Sequence, residues 1–188
     1  MKQQKSWKKR GILVGITTAI LSIGILYYVS VPSGPIYDFD EARDTQGILK
    51  IFENDWYWLI ESEDYSPEFM LENRAPSKDP LYVGSLHIKV LREQGKLAGF
   101  AAYYMKKKRL CQLLFLAVSS TFRGKGYGEQ LVRYVLEDAV NLGADRVRLV
   151  TRVANFPAQR LYNRVGFSQI GIREDGEFVN FEYDLRSL

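Results

Sequence analysis

The sequence predicts an α/β fold: a mixed, mostly antiparallel central sheet with helices on both of its faces. Three observations predict it. Leu81–Leu91 alternates as a strand, Gln94-Gly95 is a hairpin turn, and Lys96–Met105 is the return strand. Leu110–Val118 is almost wholly apolar, as expected of a central strand covered on both sides. From that strand onward the apolar spacing switches between 2 and 3.6, giving strand–helix–strand–helix–strand–strand. A three-strand meander followed by α/β crossovers calls for strands of both directions in one sheet.

Residues 1–10 are a basic tail, with Lys2, Lys5, Lys8, Lys9 and Arg10 and no acid. Residues 11–31, GILVGITTAILSIGILYYVSV, hold no charge, and 21 helical residues span roughly 30 Å, the hydrocarbon thickness of a bilayer. Trp7 precedes this run and Tyr27 and Tyr28 stand near its far end, as headgroup-zone aromatics do. A transmembrane helix (a signal anchor) is therefore expected at 11–31. A cleaved signal peptide is the rival, disfavoured because the apolar run exceeds the usual length and Val-Pro-Ser-Gly-Pro lacks a small-x-small cleavage site. Residues 32–34 are a linker, and 35–188 form one domain.

Asp44 or Thr45 can cap a helix running to about Ile60, with Ile48, Ile51, Phe52, Trp56 and Leu59 on one face. Ser66-Pro67-Glu68 opens a short second helix that stops near Ala75-Pro76. Lys106–Arg109 is a charged hairpin tip. Gly126–Leu142 is a helix with Leu131, Val135, Ala139 and Leu142 at core spacing, ended by Gly143. Arg146–Thr151 is a strand, and Asn155 caps a helix reaching Val165 that Gly166 ends. Two last strands, about 167–173 and 177–185, join through Glu174-Asp175-Gly176.

The charge has an address. The chain carries 26 basic and 22 acidic residues, net +4. The tail supplies five of the basic residues. Residues 32–80 carry 4 basic and 12 acidic side chains, and residues 81–188 carry 17 and 10. The basic balance is thus a tail plus an internal dipole, and it does not point to nucleic acid. One cysteine, Cys111, and one histidine, His87, exclude a disulfide framework and the common metal sites. Cys111 fits a small core residue and His87 a surface or partly packed one.

The most informative stretch is Leu116-Ala117-Val118-Ser119-Ser120-Thr121-Phe122-Arg123-Gly124-Lys125-Gly126-Tyr127-Gly128-Glu129-Gln130-Leu131, in which a buried strand passes through a short loop into a glycine-rich helix start. Unpaired N–H groups and partial positive charge at a helix N-terminus suit a pyrophosphate, and Arg123 and Lys125 add formal charge. The spacing is R-x-x-G-x-G. It is neither the dinucleotide-binding G-x-G-x-x-G nor a P-loop, which needs Gly-Lys-Ser/Thr.

Arg123-Gly124-Lys125-Gly126-Tyr127-Gly128 resembles the acyl-CoA signature of the GNAT superfamily of N-acyltransferases. Asn155-Phe156-Pro157-Ala158-Gln159-Arg160-Leu161-Tyr162-Asn163-Arg164-Val165-Gly166-Phe167 is similar to that family's second landmark helix. The resemblance covers roughly residues 35–188. It implies that strands before and after the glycine-loop helix splay apart around the pantetheine arm. Leu116 and Val118, with Ala117 between them, would pair with the pantetheine amides. The amides of Arg123, Gly124, Lys125, Gly126, Tyr127 and Gly128 would bind the pyrophosphate, and Asn155 would contact the pantetheine. Tyr162 would be the general acid beside the sulfur, and the Val118 N–H the oxyanion donor. Acetyl-CoA is the implied co-substrate, a primary amine the acceptor, and no metal is implied.

The base is unassigned. Val150 stands where some members carry a glutamate, and Leu110–Val118 lacks acids. Candidates are Asp55, Glu61, Glu63, Asp64 and Glu177, with His87 a weaker one. Trp56, Tyr57 and Trp58 fit an acceptor pocket, a core or a membrane-facing role equally. The expected function is a membrane-anchored N-acetyltransferase. A catalytically silent acyl-CoA-binding module is the alternative, and a membrane interaction protein keeping only the scaffold is a third. Sidedness is open. Asp38, Asp40, Glu41 and Asp44 follow the apolar run against Arg43 alone, which puts the domain outside the cytoplasm, while acetyl-CoA supply puts it inside.

Overall fold

The computed structural model describes residues 35–60, 66–73 and 82–187. The basic tail, the membrane helix expected at 11–31 and the linker at 32–34 lie outside them. Among the described residues, no helix is long and apolar enough to cross a membrane.

Seven strands form one sheet: β1 (Ile36–Asp38), β2 (Tyr82–Glu93), β3 (Lys96–Lys106), β4 (Leu110–Val118), β5 (Arg146–Arg152), β6 (Ser168–Ile172) and β7 (Phe178–Asp184). Their order is β1-β2-β3-β4-β5-β7-β6. β4 and β5 run parallel and the other neighbours pair antiparallel, the mixed, mostly antiparallel sheet expected. Helices α1 (Glu41–Leu59) and α2 (Pro67–Asn73) precede the meander, α3 (Tyr127–Asn141) crosses from β4 to β5, and α4 (Phe156–Val165) comes after β5.

Each face of the sheet carries its own core. Leu131, Val135 and Ala139 of α3 pack with Tyr162 and Val165 of α4 against Val147, Leu149 and Phe181. On the other side Ile48, Ile51 and Phe52 of α1 meet Val90, Phe100 and Phe115. A buried ion pair joins α1 to β2: Arg92 donates from Nε to Asp44 Oδ1 at 3.0 Å and from Nη2 to Oδ2 at 2.5 Å.

Several local expectations are corrected. β1 adds a strand with no periodic signal in the sequence; it pairs Ile36 with Leu91 and Asp38 with Lys89 at the sheet edge. α1 is capped by Asp40, whose carboxylate accepts the Arg43 N–H at 3.0 Å, and not by Asp44 or Thr45. Asp44 turns inward to Arg92 instead. Trp56 leaves the α1 core face because Asp55 breaks the helix (φ −122°, ψ 18°) and rotates its final turn, leaving the indole 47% exposed. Leu142 caps α3 from outside its last turn and is exposed.

One irregularity shapes the functional end of the sheet. β4 pairs Phe115 with Ala102 but Leu113 with Tyr103, so Leu114 is an extra residue in the ladder. A bulge reverses the alternation of side chains and adds twist. Accordingly Cys111 and Leu113 face the α3/α4 core, Phe115 and Ala117 face the α1/α2 core, and Leu116 and Val118 return to the α3/α4 side. The ladder between β4 and β5 ends at the same point, with Leu113 opposite Leu149. Beyond it β5 continues paired only to β7, as far as Arg152.

Candidate active site

The divergence of β4 from β5 opens a cleft of about 2020 Å³. Leu116, Ala117 and Val118 line one side, Thr151, Ala154 and Asn155 the other, and the glycine loop, Tyr162 and the end of α1 complete the wall. Ser119 donates its N–H back to Ala98 O of β3 at 2.9 Å. Alternation along a strand therefore turns the backbone groups of Val118 and Leu116 away from β3, toward the gap. Those of Ala117 point to β3, and its methyl packs in the α1/α2 core.

The loop between β4 and α3 makes one 3-10 turn at Ser120–Phe122 and then needs two left-handed residues, Gly124 (φ +79°) and Gly126 (φ +82°). A side chain at either would be strained. Gly126 is the N-cap of α3, and the helix's first bond runs from Gln130 N–H to Gly126 O at 3.1 Å. The N–H groups of Tyr127, Gly128 and Glu129 precede that bond and point out of the helix start, with the helix dipole behind them. Gly128 sits where α3 meets α4 and β4; a Cβ there would stand 3.1 Å from Leu161 Cδ2 and 3.7 Å from Val118 Cγ2.

The cations expected to serve a pyrophosphate are already engaged. Arg123 donates from Nη2 to Asp55 Oδ2 at 2.5 Å and from Nε to Val118 O at 3.1 Å. Lys125 Nζ lies 3.1 Å from Glu93 Oε2. Hydrogen bonds from Tyr127 and from Lys125 hold the Glu93 carboxyl below the usual carboxylate range. Arg133 and Arg164 both reach Glu129, at 2.8 and 3.1 Å. The cleft thus carries Arg123, Lys125, Arg133 and Arg164 against Asp55, Glu93, Glu129 and Glu137. The basic surplus of residues 81–188 is not concentrated there, and the helix N-terminus is its distinctive anion-seeking feature.

Asn155 caps α4, its Oδ1 accepting the Ala158 N–H at 3.3 Å. Farther along the same helix, Tyr162 lines the cleft with its ring held by Phe167 and Phe181 at 5.9 and 5.8 Å. It is only 6% exposed, and burial pushes its hydroxyl above the ordinary phenol range. At neutral pH it is a protonated donor.

Of the candidate bases, Asp55 lines the cleft, in its ion pair with Arg123. Glu61, Glu63 and Asp64 lie outside the described residues. Glu177 is 65% exposed and paired with Arg152 at 3.1 Å. His87 stacks on Tyr103 at 5.3 Å, far along β2 from the cleft, and Cys111 is buried with its thiol pushed up to about 12 by desolvation. Lys106–Arg109 forms its hairpin at the opposite end of β4, where Arg109 binds Gly143 O and Asp145. Trp56, Tyr57 and Trp58 are all exposed, and Trp58 borders the cleft.

Two residues carry roles that the sequence did not signal. Glu93 anchors the loop through Lys125 and Tyr127. Arg152 clasps α1 to the sheet, donating to Tyr57 O at 2.6 Å and Ile60 O at 3.2 Å while its guanidinium covers the rings of Tyr57 and Phe178. The charged ends of two strands were the only trace of either in the sequence.

Residues 46–167 match the model of the Acetyltransferase (GNAT) family. Among curated proteins, the [ribosomal protein bS18]-alanine N-acetyltransferase of Haemophilus ducreyi is 32% identical over 90 residues, 44% of this chain and 57% of that protein. The N-acetylaspartate synthetase of Danio rerio is 35% identical over 83 residues, 44% of this chain and 29% of that protein. The chain therefore spans well under two thirds of either relative. A solved Bacillus subtilis acetyltransferase in complex with CoA aligns over 81% of this chain and 99% of its own, with TM-score 0.61 and 20% identity.

Proposed function

The chain belongs to the acetyltransferase (GNAT) family, and on that premise we propose that it transfers acetyl from acetyl-CoA to a primary amine by direct attack. The observation that carries this reading is the splay that begins at Leu113 and Leu149, which brings the strand edge at Leu116–Val118, the α3 N-terminus and Tyr162 onto one cleft. The N–H groups from Gly124 to Gly128 suit the diphosphate, whereas the Arg123 N–H, expected to join them, closes the 3-10 turn on Ser120 O at 3.4 Å; the outward backbone of Leu116 and Val118 suits the pantetheine amides. Asn155 stands across the gap from them. The Val118 N–H would stabilise the oxyanion as the amine attacks, worth about 3–4 kcal/mol for one such donor. Tyr162 would protonate the departing thiolate.

The acceptor is a cationic amine before it reacts. The relatives named for a ribosomal-protein alanine and for N-acetylaspartate make α-amines the first to test. CoA release by the full chain in detergent is measured over an alanine-ended peptide, aspartate, lysine and spermidine. Release matched by acetylated amine is the expected result. Acetyl-CoA binding without turnover over the whole panel would favour the silent binding module, a reading supported by Val150 and the acid-free β4.

We further propose that residues 11–31 anchor the protein in a membrane, on the strength of 21 uncharged residues behind five cations. Carbonate-resistant sedimentation of the full chain tests the anchor. Protease accessibility of the domain in sealed vesicles decides between the flanking charges and the supply of acetyl-CoA.

A further inference from the structure

We propose that Arg123 and Asp55 are an exchange pair: acetyl-CoA draws the guanidinium to its diphosphate, and the released Asp55 carboxylate becomes the counter-ion that seats the acceptor ammonium. The inference rests on the acetyltransferase reading and assigns the acceptor-binding residue that the sequence left open.

The geometry carries it. Arg123 sits in the loop between β4 and α3, and its guanidinium bridges Val118 O at 3.1 Å and Asp55 Oδ2 at 2.5 Å. Asp55 is therefore within two hydrogen-bond lengths and one guanidinium width of Val118 O, roughly 8 Å. Its side chain is presented there by the break in α1, on the wall that Trp58 and Leu59 continue. The two partners differ in exposure. Arg123 is 53% exposed at its side chain and Asp55 only 13%. An arriving anion can reach the cation directly, whereas the carboxylate is screened behind it.

A diphosphate competes well for arginine, because the planar fork bonds phosphate oxygens bidentately. A carboxylate that lines the cleft and has lost its cation leaves an uncompensated negative charge there, which attracts another cation. Glu93 supplies the contrast. When Lys125 is drawn away, Glu93 keeps the Tyr127 hydroxyl, so no comparable demand arises there. Asp55 has Arg123 as its partner, and a primary ammonium is the cation the reaction brings.

The protons balance. The ammonium gives one proton to water, and the freed lone pair forms the C–N bond. The C–S bond breaks with its electrons on sulfur, which Tyr162 protonates. The second amine proton leaves to water as the amide forms, and Tyr162 is reprotonated from water. The products are amide, CoA thiol and one net proton.

Calorimetric titration of CoA into the full chain in detergent is the first test. Asp55→Asn should tighten CoA binding about threefold to tenfold, since a half-exposed ion pair no longer has to be broken. Arg123→Gln should weaken it, and adding Asp55→Asn to Arg123→Gln should then change nothing. The second test is steady-state turnover of the amine accepted from the panel, at saturating acetyl-CoA. Asp55→Asn should raise the amine KM on the order of tenfold or more, the loss of a charged hydrogen bond, with kcat little altered. Asp55→Glu should recover most of it. Unchanged or weaker CoA binding by Asp55→Asn, or an unaltered amine KM, would overturn the proposal. A wild-type chain that binds no CoA would overturn the acetyltransferase reading itself.

Discussion

Replacing Asp44 with alanine should cost more stability than any other change to a charged side chain on α1. Asp44 and Arg92 are 1% and 7% exposed at their side chains, and two hydrogen bonds join them. The same carboxylate also accepts the Asp40 N–H at 2.9 Å, which closes the start of α1. Removing one member of a buried pair leaves the other charge without compensation, typically at about 3–5 kcal/mol. At about 2–4 °C per kcal/mol for a domain of this size, the Tm should fall by roughly 6–20 °C. The Tyr37 ring, 4.8 Å from the Arg92 guanidinium, places the loss toward the lower half of that range. Chemical denaturation of the full chain in detergent, monitored by the Trp56 and Trp58 fluorescence, gives the number directly. The double variant Asp44→Ala/Arg92→Met separates the two causes, because removing both charges abolishes the desolvation penalty. It should be more stable than Asp44→Ala alone. A single variant within about 1 kcal/mol of wild type, or a double variant no better than the single, would refute the account.

Three further outcomes are expected. Tyr162→Phe should lower kcat by about 100-fold or more while leaving acetyl-CoA affinity within about twofold, and wild-type turnover would remove its acid role. Gly126→Val puts a β-branched residue at φ +82°, a strain of about 1–2 kcal/mol, and should abolish the thermal stabilisation by acetyl-CoA; undiminished stabilisation would falsify the site. Cys111 is held neutral to about pH 12 in the fold against about 9 in an exposed thiol, so its contribution to stability is complete below pH 9 and is lost as pH rises toward 12. Native protein at about pH 8 should therefore react with disulfide reagents only as fast as it unfolds, and Cys111→Ala should flatten the alkaline loss of stability.

What the sequence disclosed and what it hid divide along a physical line. Period and punctuation placed the β2–β4 meander, α3, β5 and α4 to within a residue or two, because each has a buried face long enough to repeat. β1 has three residues and no repeat, and it exists only because Leu91, Val90 and Lys89 offer an edge to pair with. The bulge at Leu114 was invisible for the opposite reason: Leu113-Leu114-Phe115-Leu116 is apolar throughout, so an added residue disturbs no pattern. The glycine loop and Tyr162 were legible through the family likeness. The ion pairs of the site were not, since Arg123 finds Asp55 across 68 positions and Arg92 finds Asp44 across 48. Nothing local to either partner specifies the other.

The bulge at Leu114 makes the cleft a matter of parity. Side-chain chemistry at that position is nearly free, since isoleucine, valine or methionine would occupy the same slot without altering which face the next four residues present. The count is not free. Losing one residue there would turn Leu116 and Val118 into the opposite core, send Phe115 and Ala117 toward Tyr162, and let β4 run on beside β5 with no gap between them. The domain is thus built to absorb substitution along this strand and to be undone by a single insertion or deletion. Anyone grafting the site onto another sheet must copy the odd residue before copying any side chain.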